Sequence, residues 1–354
     1  QYQAIAKNIK HSYTPSNDIA VIFRNNASAD GIEASLRELG INCKRKGGNS
    51  FFEAKEIKFL LDTLVLLVNP KDMMAFIHIF EYGRGIGTAL AKEMFECFIH
   101  FGEGHLFTGI LSPRVYTLPK LHPTKNMQLG LFDDDTEIGS MSRFSKLPLN
   151  EHIRSHPILK HPKLTEDGLL FFKDYYEFIK SIKSVKQPKT MLIKLINSPL
   201  YATVVETLSN QRAKLKSGEI DKEKKALSQE RIARKARLLS DLASHYNEVG
   251  KFVNAMVLGG NELSEGDGVN LLTVHASKGL EFTEVYVIDL MDGRFPNTKL
   301  MGKGGSVDEE RRLFYVAVTR AKDKLFLSFA KFDRVKKLDF KPSPFLYEAS
   351  LLRV

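Results

Sequence analysis

Short apolar runs alternate with helical patterns at both ends of the chain. Residues 18–23 form a run without a polar break inside it, which is typical of a strand covered on both faces. The same alternation of apolar runs and helical patterns occurs near the C-terminus. Strands that alternate with helices indicate a parallel sheet. The pattern predicts strands at 18–23, 41–44, 269–274, 284–289 and 324–329, and helices at 28–39, 53–68 and 308–321.

The middle of the chain, from about residue 87 to residue 260, is polar and helical without a convincing strand. It includes a segment of low order at 111–163, rich in Pro, His, Asp and Ser, and a charge-dense stretch at 211–238 that predicts one long helix. That stretch carries ten Lys or Arg against four Asp or Glu, which is typical either of a solvated helix face or of a duplex-phosphate contact. The simplest organisation is an α/β domain split in sequence, with a helical domain inserted between its halves.

Length and charge narrow the class of protein. A chain of 354 residues is too long for one ordinary domain, and 43% hydrophobic residues are enough for real cores. A net charge of +10 favours a polyanion such as nucleic acid, although ribosomal or acidic protein partners give the same signal.

The cysteines and the hydropathy indicate the compartment. Cys43 and Cys97 fit neither a metal spacing nor a disulfide framework, so we expect no metal site and a reducing environment. No apolar run approaches a membrane span and no secretion signal opens the sequence. We therefore expect a cytoplasmic protein without a membrane partner.

An arginine marks the end of the first predicted strand. Arg24 follows residues 18–23 directly, at the strand edge where open α/β sheets bind their ligands. The alternative is a structural arginine in an ion pair, and this segment alone favours that alternative.

A second polar cluster follows the strand predicted at 269–274. So many polar groups after a buried strand are poor core material, and they indicate a site. Lys278 could neutralise phosphate, Glu281 could accept from a sugar hydroxyl, and His275 could contact DNA or lie satisfied in a core. Gly279 permits a tight turn. The cluster consists of Thr273, His275, Ser277, Lys278, Gly279 and Glu281.

A third cluster lies on the helix predicted at 308–321. Glu309 and Glu310 suit the positive N-terminal end of the helix dipole. Arg320 lies near the C-terminal end, where its guanidinium could reach out of the domain. The alternative is an arginine that bonds the last carbonyls of its own helix, which is common.

These segments together resemble the UvrD/PcrA/Rep-type superfamily 1 DNA helicases. Five blocks occur in the family's order: residues 18–25 resemble motif IV, 47–58 the block after it, 273–282 motif V, 287–296 the following segment, and 310–321 motif VI. The resemblance implies a RecA-like domain 2A at 1–88 and 263–354, with an inserted, mainly α-helical domain 2B at 89–262.

The resemblance also implies roles for individual residues. Arg24 and Arg320 would converge on one rim of the sheet and contact the γ-phosphate of ATP, with Arg320 acting as an arginine finger. Glu281 would bind the nucleotide sugar, and Lys278 and Gly279 would shape the turn beside it. Thr273 and His275 would contact single-stranded DNA and couple its movement to the nucleotide state.

Two motifs in the insertion suggest further contacts. Arg84, Gly85 and Gly87 belong to an Arg-Gly-Ile-Gly turn before a helical pattern, which suits a duplex phosphate and matches the family's entry into domain 2B. Residues 128–132 resemble the peptide by which bacterial DNA enzymes dock on the sliding clamp; its residues are Gln128, Leu129, Leu131 and Phe132, with Gly130 between them.

The phosphate loop of the motor is absent from these residues. Neither G-x-x-x-x-G-K-[ST] nor a Walker B-like Asp-Glu pair occurs. The family carries both in its N-terminal RecA-like domain, so the resemblance implies that ATP and Mg²⁺ bind only together with that domain and that this chain alone is inactive. The leading interpretation is the C-terminal half of a 3′-to-5′ DNA helicase. The alternatives are a subunit of a recombination-type helicase–nuclease and a non-catalytic DNA-binding remnant.

Overall fold

The computed structural model describes residues 1–46, 50–119, 143–257, 267–298, 305–333 and 338–353. The chain divides into two compact units. The sheet unit comprises residues 1–54 and 254–354, and the helical unit comprises residues 55–253. The boundaries predicted from the family order, 88/89 and 262/263, differ from this division chiefly at the first crossing.

The sheet unit is built on five parallel strands in the order β2-β3-β1-β4-β5. The parallel sheet predicted from the sequence is therefore confirmed. Its elements are α1 (Tyr2–Lys10), β1 (Ile19–Phe23), α2 (Asn26–Glu38), β2 (Cys43–Lys46), β3 (Val269–Thr273), β4 (Phe282–Val287), α13 (Val307–Val318), β5 (Ala321–Leu327), β6 (Phe332–Asp333), β7 (Leu338–Asp339) and α14 (Pro344–Glu348).

The central strand β1 explains the layering, because all five of its residues are buried. Ile19, Val21 and Phe23 belong to one core cluster, which also contains buried residues of α1 and α2. Ala20 and Ile22 alternate to the other face and belong to a second cluster with residues of α13 and α14. A strand with period-two side chains thus supports two cores and needs apolar residues at every position.

The last strand in the sheet, β5, is much less covered than β1. Its residues are exposed or half-buried, and Leu325 and Phe326 remain 42% and 38% exposed. The ring of Phe326 stacks on Tyr286 of β4 at a centroid distance of 4.5 Å.

The helical unit contains α3 to α11 and the start of α12. These helices are α3 (Lys55–Val68), α4 (Met73–Phe80), α5 (Thr88–Phe101), α6 (Leu106–Leu111), α7 (Glu151–Arg154), α8 (Glu166–Ile182), α9 (Pro188–Ile196), α10 (Pro199–Ala213), α11 (Lys222–Ala243) and α12 (Val249–Val257). Among the described residues, no helix is both long and apolar enough to cross a membrane.

Aromatic packing explains why residues 55–88 join the helices rather than the sheet. Phe80 of α4 stacks on Phe76 at 4.1 Å and lies 5.0 Å from the ring of Tyr175 in α8. The same cluster continues from Phe98 of α5 to Phe172 of α8. Such contacts bury large apolar side chains across the predicted boundary.

The prediction of a single helix at 211–238 is wrong. The chain leaves α10 after Ala213, turns back on itself through a bridge between Lys214 and Ile220, and restarts as α11. Gly218 adopts a φ of 92° in this turn, a conformation that is costly for other residues. The Asp221 side chain then caps α11 by accepting from the Lys224 N–H at 3.0 Å.

Part of the segment predicted to be of low order is packed. Residues 143–163 include α7 and a 3₁₀ turn at Pro157–Lys160, with His156 and His161 buried. His156 donates from Nε2 to the Gly109 carbonyl at 3.0 Å and accepts the Ile158 N–H on Nδ1 at 3.1 Å. Burial lowers the pKa of His156 to about 4.

Candidate functional site

Residues 274–281 connect the C-terminal end of β3 to the N-terminal start of β4. Because β3 and β4 are parallel, this crossover loop runs from the C-terminal ends of the strands to their N-terminal ends. These two sides of the sheet are called its C-terminal edge and its N-terminal edge. Strands rise about 3.3 Å per residue, so the two edges lie roughly 20 Å apart. The loop therefore brings different parts of the predicted polar cluster to two separate places.

The start of the crossover loop is fixed by short hydrogen bonds. Val274 donates its N–H to the Phe23 carbonyl at 3.0 Å, which joins the ends of β3 and β1. The Thr273 hydroxyl accepts the Ala276 N–H at 3.2 Å, and the buried Ser277 hydroxyl donates to the Val274 carbonyl at 2.8 Å. Sequence reasoning placed Ser277 in the site, but its side chain serves the turn.

The polar residues of the loop that face solvent are the ones suited to a ligand. His275, Lys278 and Glu281 are exposed, and Thr273 is half-buried with a hydroxyl proton that can still donate. Gly279 has a φ of 81°. That left-handed turn lets the loop bend towards β4, as the sequence predicted.

At the N-terminal edge, Arg320 is bound to both neighbours of Glu281. Its backbone carbonyl accepts the Phe282 N–H at 2.9 Å, and its Nη1 donates to the Leu280 carbonyl at 3.1 Å. The side chain is also tethered to the end of the preceding helix α13, because Nε donates to the Val316 carbonyl at 2.9 Å and Nη2 to the hydroxyl of the C-cap residue Thr319 at 3.0 Å.

The alternative interpretation of Arg320, an arginine that bonds the last carbonyls of a helix, thus describes part of its contacts. Three of the five N–H donors of a guanidinium are occupied by these bonds within the described residues, which leaves two for a ligand. The half-buried side chain is held by its bond to Leu280, the residue before Glu281, and the Glu281 side chain is exposed. A positioned guanidinium with two remaining donors can grip one phosphate group.

Arg24 lies at the other edge and is engaged differently. Its Nε and Nη2 donate to the carboxylate of Glu310 in α13 at 2.7–3.1 Å. The two side chains are 11% and 5% exposed. This is the structural ion pair that the strand-end segment alone favoured.

The predicted convergence of Arg24 and Arg320 on one rim is wrong. Arg24 follows the last residue of β1, whereas Arg320 precedes the first residue of β5, and the strands are parallel. Helix α13 runs from the Glu310 end of the sheet to the Arg320 end. Two side chains separated by roughly 20 Å of strand cannot grip one phosphate in this conformation.

Glu310 is the residue that sequence reasoning missed. Its second carboxylate oxygen accepts the Asn297 N–H at 3.0 Å, and the Asn297 side chain donates to Asn25 Oδ1 at 2.9 Å. The sequence assigned Glu310 only to the helix dipole. Its partners are far away along the chain, so only its placement in the helix, next to the core face, could have hinted at them.

The Arg-Gly-Ile-Gly turn lies in the helical unit. Gly85 has a φ of 80°, and a Cβ there would come within 2.7 Å of the Thr165 hydroxyl. Gly87 precedes α5 without a side-chain cap, and the turn is exposed. Arg84 is 89% exposed, and its Nε lies 3.5 Å from the Asp167 carboxylate. That carboxylate would compete with a phosphate for Arg84.

The clamp-like residues Gln128, Leu129, Leu131 and Phe132 lie outside the described residues, as do Gly47 and Gly48 of the block after the first motif.

Comparison with known proteins identifies relatives of one kind. The family model of the UvrD-like helicase C-terminal domain matches residues 1–332. The ATP-dependent DNA helicase PcrA of Bacillus subtilis (strain 168) is 27% identical over 316 residues, which cover 89% of this chain and 37% of that protein. The ATP-dependent DNA helicase Rep of Buchnera aphidicola subsp. Schizaphis graminum is 30% identical over 94% of this chain and 44% of its own length. The Rep helicase of Escherichia coli (strain K12) is 28% identical over 94% of this chain and 43% of its own length. The chain thus spans less than half the length of these relatives.

Proposed function

This chain belongs to the UvrD-like helicase C-terminal domain family, and from that membership we propose that it forms the C-terminal motor part of an ATP-dependent DNA helicase. The match over residues 1–332 is the observation that carries the proposal. The motor would work with an N-terminal RecA-like domain, which would hold ATP and Mg²⁺ on its phosphate loop.

We assign the nucleotide contact to the N-terminal edge of the sheet. Glu281 offers an exposed carboxylate to a sugar hydroxyl, and Arg320 offers two N–H donors to a phosphate. The tethers from Leu280 and Val316 hold the guanidinium before any ligand arrives, so little reorganisation is needed. A lysine at position 320 would keep the charge but lose the planar two-donor grip.

When bound, ATP with its Mg²⁺ supplies a phosphoryl group whose negative charge must be stabilised during transfer. Arg320 is the residue proposed to act as the arginine finger. For Arg24 the ion pair with Glu310 supports a positioning role for α13, the helix that precedes Arg320. Lys278 adds positive charge to the same crossover loop, and Gly279 provides its turn.

The contact with single-stranded DNA belongs to the opposite edge in this proposal. His275 is exposed there and Thr273 can donate its hydroxyl proton. The crossover loop links this edge to Glu281 through a short run of hydrogen-bonded turns. A shift of Glu281 on nucleotide binding would therefore be transmitted to Thr273 and His275, which couples hydrolysis to 3′-to-5′ movement.

Two further contacts are part of the proposal. Arg84, Gly85 and Gly87 would contact a duplex phosphate through the open N-terminus of α5. Residues 128–132 would dock on a sliding clamp, and a pull-down that compares wild type with a Leu131→Ala, Phe132→Ala double variant tests that contact.

The decisive experiment measures DNA-stimulated ATP turnover by this chain joined to its N-terminal RecA-like domain. Arg320→Ala should lower kcat by about a hundredfold or more, while the KM for ATP changes little. Arg320→Lys should recover only a small part of the rate. Arg312→Ala is the matched control, because Arg312 is an exposed arginine of α13, the helix that precedes Arg320.

Thermal unfolding of each variant separates a catalytic loss from a folding defect, since Arg320 also bonds the backbone. A kcat within about twofold of the wild type for a folded Arg320→Ala protein would refute the finger assignment.

A further inference from the structure

A basic pocket opens in the helical unit, formed by residues of the stretch 211–238 together with Glu56, and it contains none of the residues to which the proposed function assigns a role. It has a volume of about 400 Å³ and is lined by α3, α10 and α11. Its charged lining consists of Glu56, Arg212, Lys224, Arg231, Arg234 and Lys235. Five cationic side chains thus surround one carboxylate.

The single carboxylate is committed to the wall of the pocket. The Glu56 side chain is 1% exposed and accepts from Arg212 Nη2 at 2.5 Å, with Lys235 Nζ at 3.4 Å. Burial opposes its ionisation, but the Arg212 hydrogen bond and the Lys235 charge outweigh burial and keep the pKa of Glu56 below its usual range. Glu56 therefore stays negative and holds two of the cations in place.

The remaining cations leave the pocket positive. Lys224 Nζ lies 3.4 Å from the half-buried Asp221, and because Lys224 itself is exposed this pair neutralises the pocket only weakly. Arg231 is exposed at the mouth of the same cavity. A positive excess remains even when Asp221 is counted with Glu56, and a concave surface concentrates that field on an anion.

The second, independent observation is an unsatisfied hydroxyl. Ser228 lines the pocket and is 6% exposed, yet its Oγ is buried without a hydrogen-bond partner among the described residues. A helical serine ordinarily bonds a carbonyl one turn earlier, and a buried hydroxyl without a partner is unfavourable. A ligand in the pocket would supply the missing acceptor.

We propose that the basic pocket is a phosphate-binding site, in which Ser228 donates its hydroxyl proton and Arg231 and Lys224 provide charge-assisted bonds to phosphate oxygens. Positive charge together with a hydroxyl donor favours an anionic ligand over a neutral apolar one, and a phosphate group offers several oxygens to these separate donors. The phosphate belongs either to a free polyphosphate or to a nucleic-acid backbone. The proposal does not rest on the motor function, because none of these residues lies in the sheet unit.

The test uses the 354-residue chain with two probes, inorganic tripolyphosphate and a short DNA duplex, in titration calorimetry. Ser228→Ala should weaken binding of the occupying probe about three- to tenfold. Arg231→Gln should weaken it about tenfold or more. Lys186→Gln removes an exposed charge of the same unit outside the pocket and should change binding by less than about twofold.

The two probes identify the source of the phosphate. Saturable tripolyphosphate binding that weakens in both pocket variants assigns a free polyphosphate. If only duplex binding weakens in the pocket variants, the phosphate is that of a nucleic-acid backbone. The plot of log K against log salt concentration should then be less steep by about 0.9 in Arg231→Gln.

Stability provides the control for folding. Ser228→Ala removes an unsatisfied group and leaves Glu56 and its partners intact, so its thermal midpoint should equal or exceed that of the wild type. The proposal is overturned if folded Ser228→Ala binds both probes as tightly as the wild type does, whatever Arg231→Gln does, because a general charge effect would then explain the remainder.

Discussion

Removing one partner of the Arg24–Glu310 pair should lower the unfolding temperature of the sheet unit substantially. The two side chains are 11% and 5% exposed, and three N–H···O contacts of 2.7–3.1 Å join them. Loss of one partner leaves an uncompensated buried charge, which costs about 3–5 kcal/mol. For a unit of this size that corresponds to a fall of roughly 6–20 °C.

The order of the variants follows from the contacts. Glu310→Ala should be at least as damaging as Arg24→Ala, because it also deprives the Asn297 N–H of its acceptor. The double variant Arg24→Leu, Glu310→Leu should recover part of the loss, since a buried pair replaced by apolar side chains leaves no stranded charge. The resulting coupling energy is expected to be about 0.5–3 kcal/mol.

The assay is thermal unfolding followed by circular dichroism, with Arg311→Ala as the matched control. Arg311 lies next to Glu310 in α13, but its partners Asp308 and Glu348 are exposed. That control should shift the midpoint by no more than about 2 °C. If Arg24→Ala shifts it no further than Arg311→Ala, the structural role of Arg24 is refuted, and a ligand-binding role at that strand end becomes the better interpretation.

Three further predictions concern the loop, a histidine and the thiols. Gly279→Ala should destabilise the sheet unit by about 1–2 kcal/mol in urea unfolding because φ is 81°, whereas Gly250→Ala, which also has open space around it, should not. The pKa of His156 falls to about 4 in the fold, so the unfolded chain binds the proton first, and stability should drop by up to about 3 kcal/mol as pH falls from about 6.5 to 4. A folded His156→Gln variant should flatten that profile; an unchanged slope would refute the assignment. Burial raises the pKa of Cys43 and Cys97 to about 12, so a thiol reagent at about pH 8 should label both slowly in the native chain and fast in urea.

The sheet was predictable because its strands are continuous apolar runs. Residues 269–274 were predicted as a strand and 269–273 form one, and the strand 18–23 is observed at 19–23. Such runs report burial on both faces, which is a local property of the sequence. The start of the helix predicted at 308–321 was also close, because α13 begins at Val307, where Ser306 caps it by accepting the Glu309 N–H at 3.1 Å. Its end was predicted too late, since α13 stops at Val318 and Ala321 already belongs to β5.

The errors arose where distant parts of the chain decide the outcome. The break in 211–238 depends on a turn around Gly218, and a lone glycine within a charged helical pattern gives a weak signal. The partner of Arg24 lies 286 positions away, which no local pattern reports. It was deducible, however, that Arg24 and Arg320 lie at opposite ends of the strands, because Arg24 follows a strand and Arg320 precedes one.

The weakly covered outer strand β5 has a consequence for how the molecule behaves in concentrated solution. A strand at the rim of a sheet presents unpaired N–H and C=O groups to any neighbouring copy, and its apolar half at Leu325 and Phe326 adds adhesion. Lys322, Asp323 and Lys324 occupy the other half of that strand and are exposed. Burying these charges against a second molecule would be unfavourable, so they act as gatekeepers that oppose edge-to-edge aggregation.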